Sequence, residues 1–124
     1  MNLVDSSGWL AYFADEASAD FFAPSIENPA QLIVPSISIY EVFKQVLQQR
    51  TEEEALKAVA FMMQGTVVDF NVSIALESTK TSIDLKLPMA DSIILTTARI
   101  YKATLWTQDI DFKDIEGVQY ISRN

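Results

Sequence analysis

The sequence predicts an α/β domain with three layers, α/β/α, built on a central parallel sheet of about five strands. Three observations carry this. Short apolar runs recur at Leu3–Val4, 31–34, 66–70, 103–107 and 118–121, and runs of this length bounded by polar or turn residues fit strands. Segments with helical spacing lie between them, and strands that alternate with helices indicate parallel pairing with helices on both faces of the sheet. The chain has 124 residues, 49% hydrophobic and 21% charged, without repeats or long linkers. It is therefore most simply one domain, residues 1–124, large enough to bury its own core without staples.

The first strand begins almost at the N-terminus and ends on Asp5. A helix is expected over 6–14, with Ser6 or Ser7 as N-cap and Trp9, Leu10, Tyr12 and Phe13 as its apolar surface. Asp15 and Glu16 open a second short helix through Phe21 and Phe22, and Pro24 belongs either to a first turn or to a break. Asn28-Pro29 marks a turn before the second strand, 31–34, which Pro35 ends. Ser36 or Ser38 can cap the next helix, running to about Arg50 with Ile39, Tyr40, Phe43, Val46 and Leu47 at helical spacing. Thr51 followed by three glutamates reads as a fresh N-terminus. The helix it opens has Leu56, Val59, Ala60 and Met63 on one face and stops at Gly65.

The third strand, 66–70, is rich in β-branched residues. A helix from Val72 to about Lys86 follows, with Ile74, Ala75, Ser78, Ser82 and Leu85 near one face. Pro88 suits the first position of a helix to about Tyr101. The fourth strand, 103–107, leads into a loop at 108–114 and a short last strand at 118–121.

Composition excludes several chemistries. There is no cysteine and no histidine, so thiol catalysis, zinc sites built on Cys or His, and Ser-His-Asp triads are impossible within the chain. The N-terminus has no basic region, and Asp5 interrupts its apolar run, unlike a signal peptide. The longest apolar run, Ala58 to Met63, is far below the roughly 20 residues of a membrane span. The expectation is a soluble, cytoplasmic protein without a membrane partner. The net charge of −8 argues against tight nonspecific binding of nucleic acid. It is compatible with an acidic cluster that holds divalent cations, since a bound metal reverses the local field.

In an open parallel sheet, ligands collect beyond the carboxyl ends of the strands. Asp5 lies there, and Asp109 and Asp111 follow the fourth strand. If the first and fourth strands are neighbours, these acids share a crevice. Asp91 falls in the first turn after Pro88, where the helix dipole is expected to hold it deprotonated. Glu41 stands among Ile39, Tyr40, Val42 and Phe43 near the start of its helix. Each acid also has a plain reading: helix-start charge for Asp5 and Asp91, a solvated stripe with Gln45 and Gln48 for Glu41, turn formation for Asp109 and Asp111. The joint pattern is more specific, because all of them fall at one edge of the sheet. Crowded carboxylates repel, and a hard divalent cation, Mg²⁺ or Mn²⁺, relieves this. Such an ion can polarise a phosphodiester and lower the pKa of a bound water for in-line attack, without any histidine. Ser7 and Thr107, two residues from Asp5 and Asp109, can orient carboxylates or waters.

These residues, Asp5-x-Ser7, Glu41 in PSISIYEVF, Asp91 in LPMADSIIL and Thr107-Gln-Asp109-Ile-Asp111-Phe112, resemble the PIN-domain ribonucleases, in particular the VapC-type toxins of toxin–antitoxin pairs. The resemblance spans essentially the whole chain. It implies strand order 3-2-1-4-5 and cleavage of RNA with Mg²⁺ or Mn²⁺. It also implies homodimerisation and inhibition by a VapB-type antitoxin. By position, Asp5, Glu41 and Asp91 match the three core metal-binding acids and Asp109 the fourth, with Thr107 as the hydroxyl before it. Asp111 can share or replace the role of Asp109. Lys44, one turn beyond Glu41, and Lys86, shortly before Pro88, are the candidate phosphate contacts. Phe61, Met62 and Met63 suit either a partner surface or the core.

The function expected is thus a metal-dependent endoribonuclease acting as a toxin. The alternative is a PIN-like binding module without catalysis, which the acidic composition motivates. A receiver or phosphatase fits poorly, because Asp5-Ser6-Ser7 lacks the Asp-x-Asp of a phosphatase and Thr107-Gln108 lacks a receiver's lysine.

Overall fold

The computed structural model describes residues 1–123. Among them are five strands, β1 (Asn2–Val4), β2 (Leu32–Pro35), β3 (Thr66–Val68), β4 (Thr104–Thr107) and β5 (Val118–Tyr120). Six helices connect them: α1 (Ser6–Phe13), α2 (Ala19–Ile26), α3 (Ser36–Gln49), α4 (Glu52–Met62), α5 (Val72–Leu85) and α6 (Met89–Ile100). All strand pairs are parallel, and their order is β3-β2-β1-β4-β5. The first and fourth strands are therefore neighbours at the centre of the sheet, as the resemblance implies, with Leu3 beside both Ile33 and Leu105.

Alternation along the strands sends side chains to two cores, because successive residues of a strand point to opposite faces. Leu3, Ile33, Val68 and Leu105 pack with Ile74 of α5 and with Ile93, Ile94, Leu95 and Ala98 of α6. Val4, Leu32 and Val34 pack on the other face with Trp9, Phe22, Val42, Ala58 and Met62. With both faces covered, the strands read as nearly continuous apolar runs, as parallel strands do.

Several local expectations change. The helix after β2 has Pro35 as its N-cap, and neither Ser36 nor Ser38 makes a capping bond. The Ser36 hydroxyl instead accepts from the Phe70 amide (3.1 Å), tying α3 to the end of β3. Pro88 is an N-cap and not the first helical residue. The second helix starts at Ala19 and not at Asp15, which has positive φ. Pro24 sits inside it, neither in its first turn nor at a break. Pro24 and Asp20 are both exposed, so water can satisfy the carbonyl that the proline leaves without its helical donor.

In α4 the expected apolar face is not the buried one. Ala55, Ala58 and Met62 face inward, whereas Leu56 and Met63 are exposed. Small residues let this helix lie close to its neighbours, and Phe61 fills the edge of the contact against Trp9, Tyr12 and Phe13. Thr51 caps α4 as expected, its hydroxyl accepting from the Glu54 amide at 3.2 Å. No helix among the described residues is long and apolar enough to cross a membrane.

Candidate active site

β1 delivers Asp5 to the carboxyl edge of the sheet and α1 begins one residue later. Asp5 itself is the N-cap of α1, not Ser6 or Ser7: its Oδ1 accepts from the Gly8 amide at 3.0 Å. The close start of α1 depends on Gly8. A Cβ at that position would stand 2.6 Å from Val4 Cγ1 and 2.7 Å from the Phe22 ring. Asp5 is 3% exposed and also accepts from Ser7 Oγ (2.8 Å) and from Thr107 Oγ1 (2.7 Å). Burial pushes its carboxyl from 3.8 to about 6. The bonds from Thr107, Gly8 and Ser7 pull the other way, and the charge of Asp109 adds to the rise. Burial penalises the ionised form, while hydrogen bonds to that form favour it.

Glu41, on α3, accepts from Ser6 Oγ at 2.6 Å. Asp91 lies in the first turn of α6. Its carboxyl rises from 3.8 to about 7, first through burial and then through the charges of Asp109, Asp111, Asp5 and Glu41. The helix dipole was expected to keep Asp91 deprotonated. Desolvation and four nearby carboxylates outweigh it. After β4, the Asp109 amide donates to Thr107 Oγ1 (2.9 Å), and Asp109 Oδ1 accepts from the Asp111 amide (2.9 Å). That bond caps a 3-10 turn, Ile110–Phe112, whose Phe112 is buried in the core. Thr107 thus joins the two strand ends, donating to Asp5 and accepting from Asp109.

Asp91, Asp109 and Asp111 each offer a carboxylate oxygen within 4.8 Å of the others'. Asp5 and Glu41 complete the surroundings of Asp91 electrostatically. Lys44 and Lys86 are exposed, and among the described residues neither pairs with one of these acids. Lys44 Nζ lies 5.9 Å from the Tyr40 ring centroid, and Lys86 ends α5 with φ 55°.

Two residues of the site escaped the sequence reading. Ser6, read only as a cap, bonds Glu41. Gln108, buried at 3% exposure, donates to the Ser7 carbonyl (3.2 Å) and accepts from Ser18 Oγ (2.7 Å), tying β4 to α1. Ser6 sits beside Asp5, but nothing in one sequence pairs it with a glutamate 35 positions away. Gln108 looks like any polar loop residue. The donor set fits a hard divalent cation: it is all oxygen, anionic, and crowded enough that neighbouring carboxylates add to the rise of Asp91.

The family model of the PIN domain matches residues 3–118. Comparison with curated proteins finds no match. Solved structures with the same fold include a toxin–antitoxin complex from Klebsiella pneumoniae, with a TM-score of 0.80 and 23% identity, covering 100% of this chain and 98% of that one. The sarcin-ricin-loop-cleaving toxin VapC20 of Mycobacterium tuberculosis has a TM-score of 0.76 and 15% identity over 94% of this chain and 95% of its own. VapBC-1 from nontypeable Haemophilus influenzae has 0.72 and 19%, over 98% and 97%.

Proposed function

The chain belongs to the PIN-domain family, and from that premise we propose that it is a Mg²⁺- or Mn²⁺-dependent endoribonuclease, the toxin of a toxin–antitoxin pair. The observation that carries this reading is the convergence of Asp5, Glu41, Asp109 and Asp111 on Asp91 at the carboxyl edge of the sheet. Asp5, Glu41, Asp91 and Asp109 are the acids we assign to the metal and to catalysis, with Asp111 beside Asp109 as an alternative or shared ligand. A bound Mg²⁺ or Mn²⁺ supplies Lewis-acid activation of water and of the phosphodiester. The protein's own part is to hold the acids in place. Ser7 and Thr107 fix the Asp5 carboxylate, Ser6 fixes Glu41, and Thr107 fixes the Asp109 backbone. Lys44 and Lys86 remain the proposed phosphate contacts on the surrounding surface.

The partners in this reading are RNA, a VapB-type antitoxin and a second copy of the chain, all in the cytoplasm. The antitoxin is supported by a structural neighbour described as a toxin–antitoxin complex. A cavity of about 730 Å³ between α1, α3 and α4 suits such a partner, offering Phe13, Val46 and Phe61 beside Arg50 and Lys57. Dimerisation is supported by Val72, Leu76 and Ile83, exposed at spacings that share one side of α5.

Purified protein freed of antitoxin is expected to cut RNA with Mn²⁺ or Mg²⁺, and Asp5→Asn to lose at least about 100-fold, the scale of a group that acts on charge in the transition state. Equal cleavage by wild type and variant would sink the assignment. Metal-independent binding of RNA without cleavage would instead favour the alternative, a PIN-like binding module.

A further inference from the structure

A second cavity, of about 420 Å³, opens directly beside the acids, and its walls include Ser7, Gln108, Asp109, Ile110, Tyr120 and Arg123. Its volume falls within the range of small-ligand sites. The sheet explains why it is here. β5 pairs with β4 so that Tyr120 stands beside Thr107, the residue that joins Asp5 to Asp109. The chain continues along the same edge, with the Ile121 amide donating to the Thr107 carbonyl at 3.0 Å, and brings Arg123 to the cavity. The opposite wall is the 3-10 turn that Asp109 caps, which leaves Ile110 69% exposed.

The chemistry of this cavity differs from that of the acid cluster. Beside Asp109 its wall carries an aromatic ring, an exposed aliphatic side chain and Arg123, which also borders the first cavity, and Lys113 Nζ lies 5.9 Å from the Tyr120 ring centroid. An aromatic ring beside cations is what a single-stranded nucleotide requires: a face on which the base stacks and positive charge for its phosphate. In a chain of net charge −8 with only nine basic residues, Arg123 on the wall and Lys113 over the Tyr120 ring favour an anionic ligand. Resting on the nuclease reading above, we propose that this cavity seats the nucleotide adjoining the cleaved phosphodiester. Its base stacks on Tyr120 and Ile110, and Arg123 binds its phosphate. Tyr120 and Arg123 are then substrate-positioning residues of the nuclease.

The experiment measures binding of a labelled, short single-stranded RNA by fluorescence anisotropy. It uses the Asp91→Asn background to prevent cleavage, and parallel kinetics use the active protein. Tyr120→Ala is expected to weaken binding about 5- to 100-fold, the loss seen when a stacked base loses its ring. Tyr120→Phe keeps the ring and is expected to stay within about twofold of the parent on the same ground. Arg123→Ala, at an exposed position beyond β5, is expected to flatten the salt dependence by about 0.7 in log–log slope, one phosphate contact on a single strand. In the active protein these changes raise KM and leave kcat nearly unaltered. Parent-like binding by Tyr120→Ala together with an unchanged slope for Arg123→Ala overturns the subsite. If that happens while wild type still cuts RNA and Asp5→Asn does not, the nuclease reading stands without it. If wild type neither binds nor cuts RNA, both fall.

Discussion

Asp91 is asked to be an anion in a place that resists anions. It is half-buried and surrounded by four other carboxylates, so its pKa stands at about 7 against an ordinary 3.8, while that of Asp5 stands at about 6. The linkage to stability follows in sign. Between 3.8 and these raised values the native protein keeps protons that the unfolded chain has released. The contribution of both groups to stability is therefore complete below about pH 4 and is lost as pH rises through 6 and 7. Asn at position 91 mimics the protonated acid at every pH. The Asp91→Asn variant is expected to melt with wild type near pH 4 and above it at neutral pH, in metal-free buffer, even though it loses cleavage. Mn²⁺ is expected to raise the melting temperature of wild type and to have much less effect on the variant, because a cation neutralises the repulsion that the substitution has already removed. Thermal melts across pH, with and without Mn²⁺, check this. A variant less stable than wild type at neutral pH would mean that the Asp91 carboxylate is already compensated by the protein alone.

At the scale of elements, the site depends on how closely α1 follows β1. Gly8 makes that approach possible, since any Cβ there would press on Val4 and on the Phe22 ring. Gly8→Ala is expected to cost about 1–3 kcal/mol through overpacking, although alanine is the better helix former. Urea denaturation measures it, and a loss below about 0.5 kcal/mol, no more than an ordinary surface change, would show that α1 can shift freely. The need for Gly8 could not be read from the sequence, because it comes from Phe22, a residue of another helix. The sheet was legible for the opposite reason. Strands buried on both faces are short apolar runs whatever their neighbours, and their alternation with helices fixes parallel pairing. Helix faces were harder where small residues do the packing. In α4 Ala55 and Ala58 are buried and Leu56 is not, a choice made by the proximity of α1 and α3. Of the site, the acids were visible as carboxylates near predicted strand ends or helix starts. The cap by Asp5, the Ser6–Glu41 bond and the walls built by Gln108 and Tyr120 depend on contacts between distant segments.

Over the whole molecule, the charge of −8 sets the terms on which a polyanion can bind. Phosphate approaching the strand ends comes to the cluster of Asp91, Asp109 and Asp111, to which Asp5 and Glu41 add their charge. The positive charges proposed for RNA are few: Lys113 and Arg123 beside Tyr120, and the exposed Lys44 and Lys86. Divalent metal should therefore govern binding as well as cleavage, since it turns the centre of the site from repulsive to attractive. With wild type and a short RNA whose linkages resist hydrolysis, chelation by EDTA is expected to weaken binding at least about tenfold, roughly the 1.4 kcal/mol that separates decades in affinity. Added Mg²⁺ should restore it. With four cations at most in contact, the slope of log K against log salt should be no steeper than about −3, at about −0.7 per phosphate on a single strand. A steeper slope would require further basic residues in contact with RNA. Binding indifferent to EDTA would require the acids to be compensated without a metal, and would separate RNA recognition in this protein from its acidic cluster.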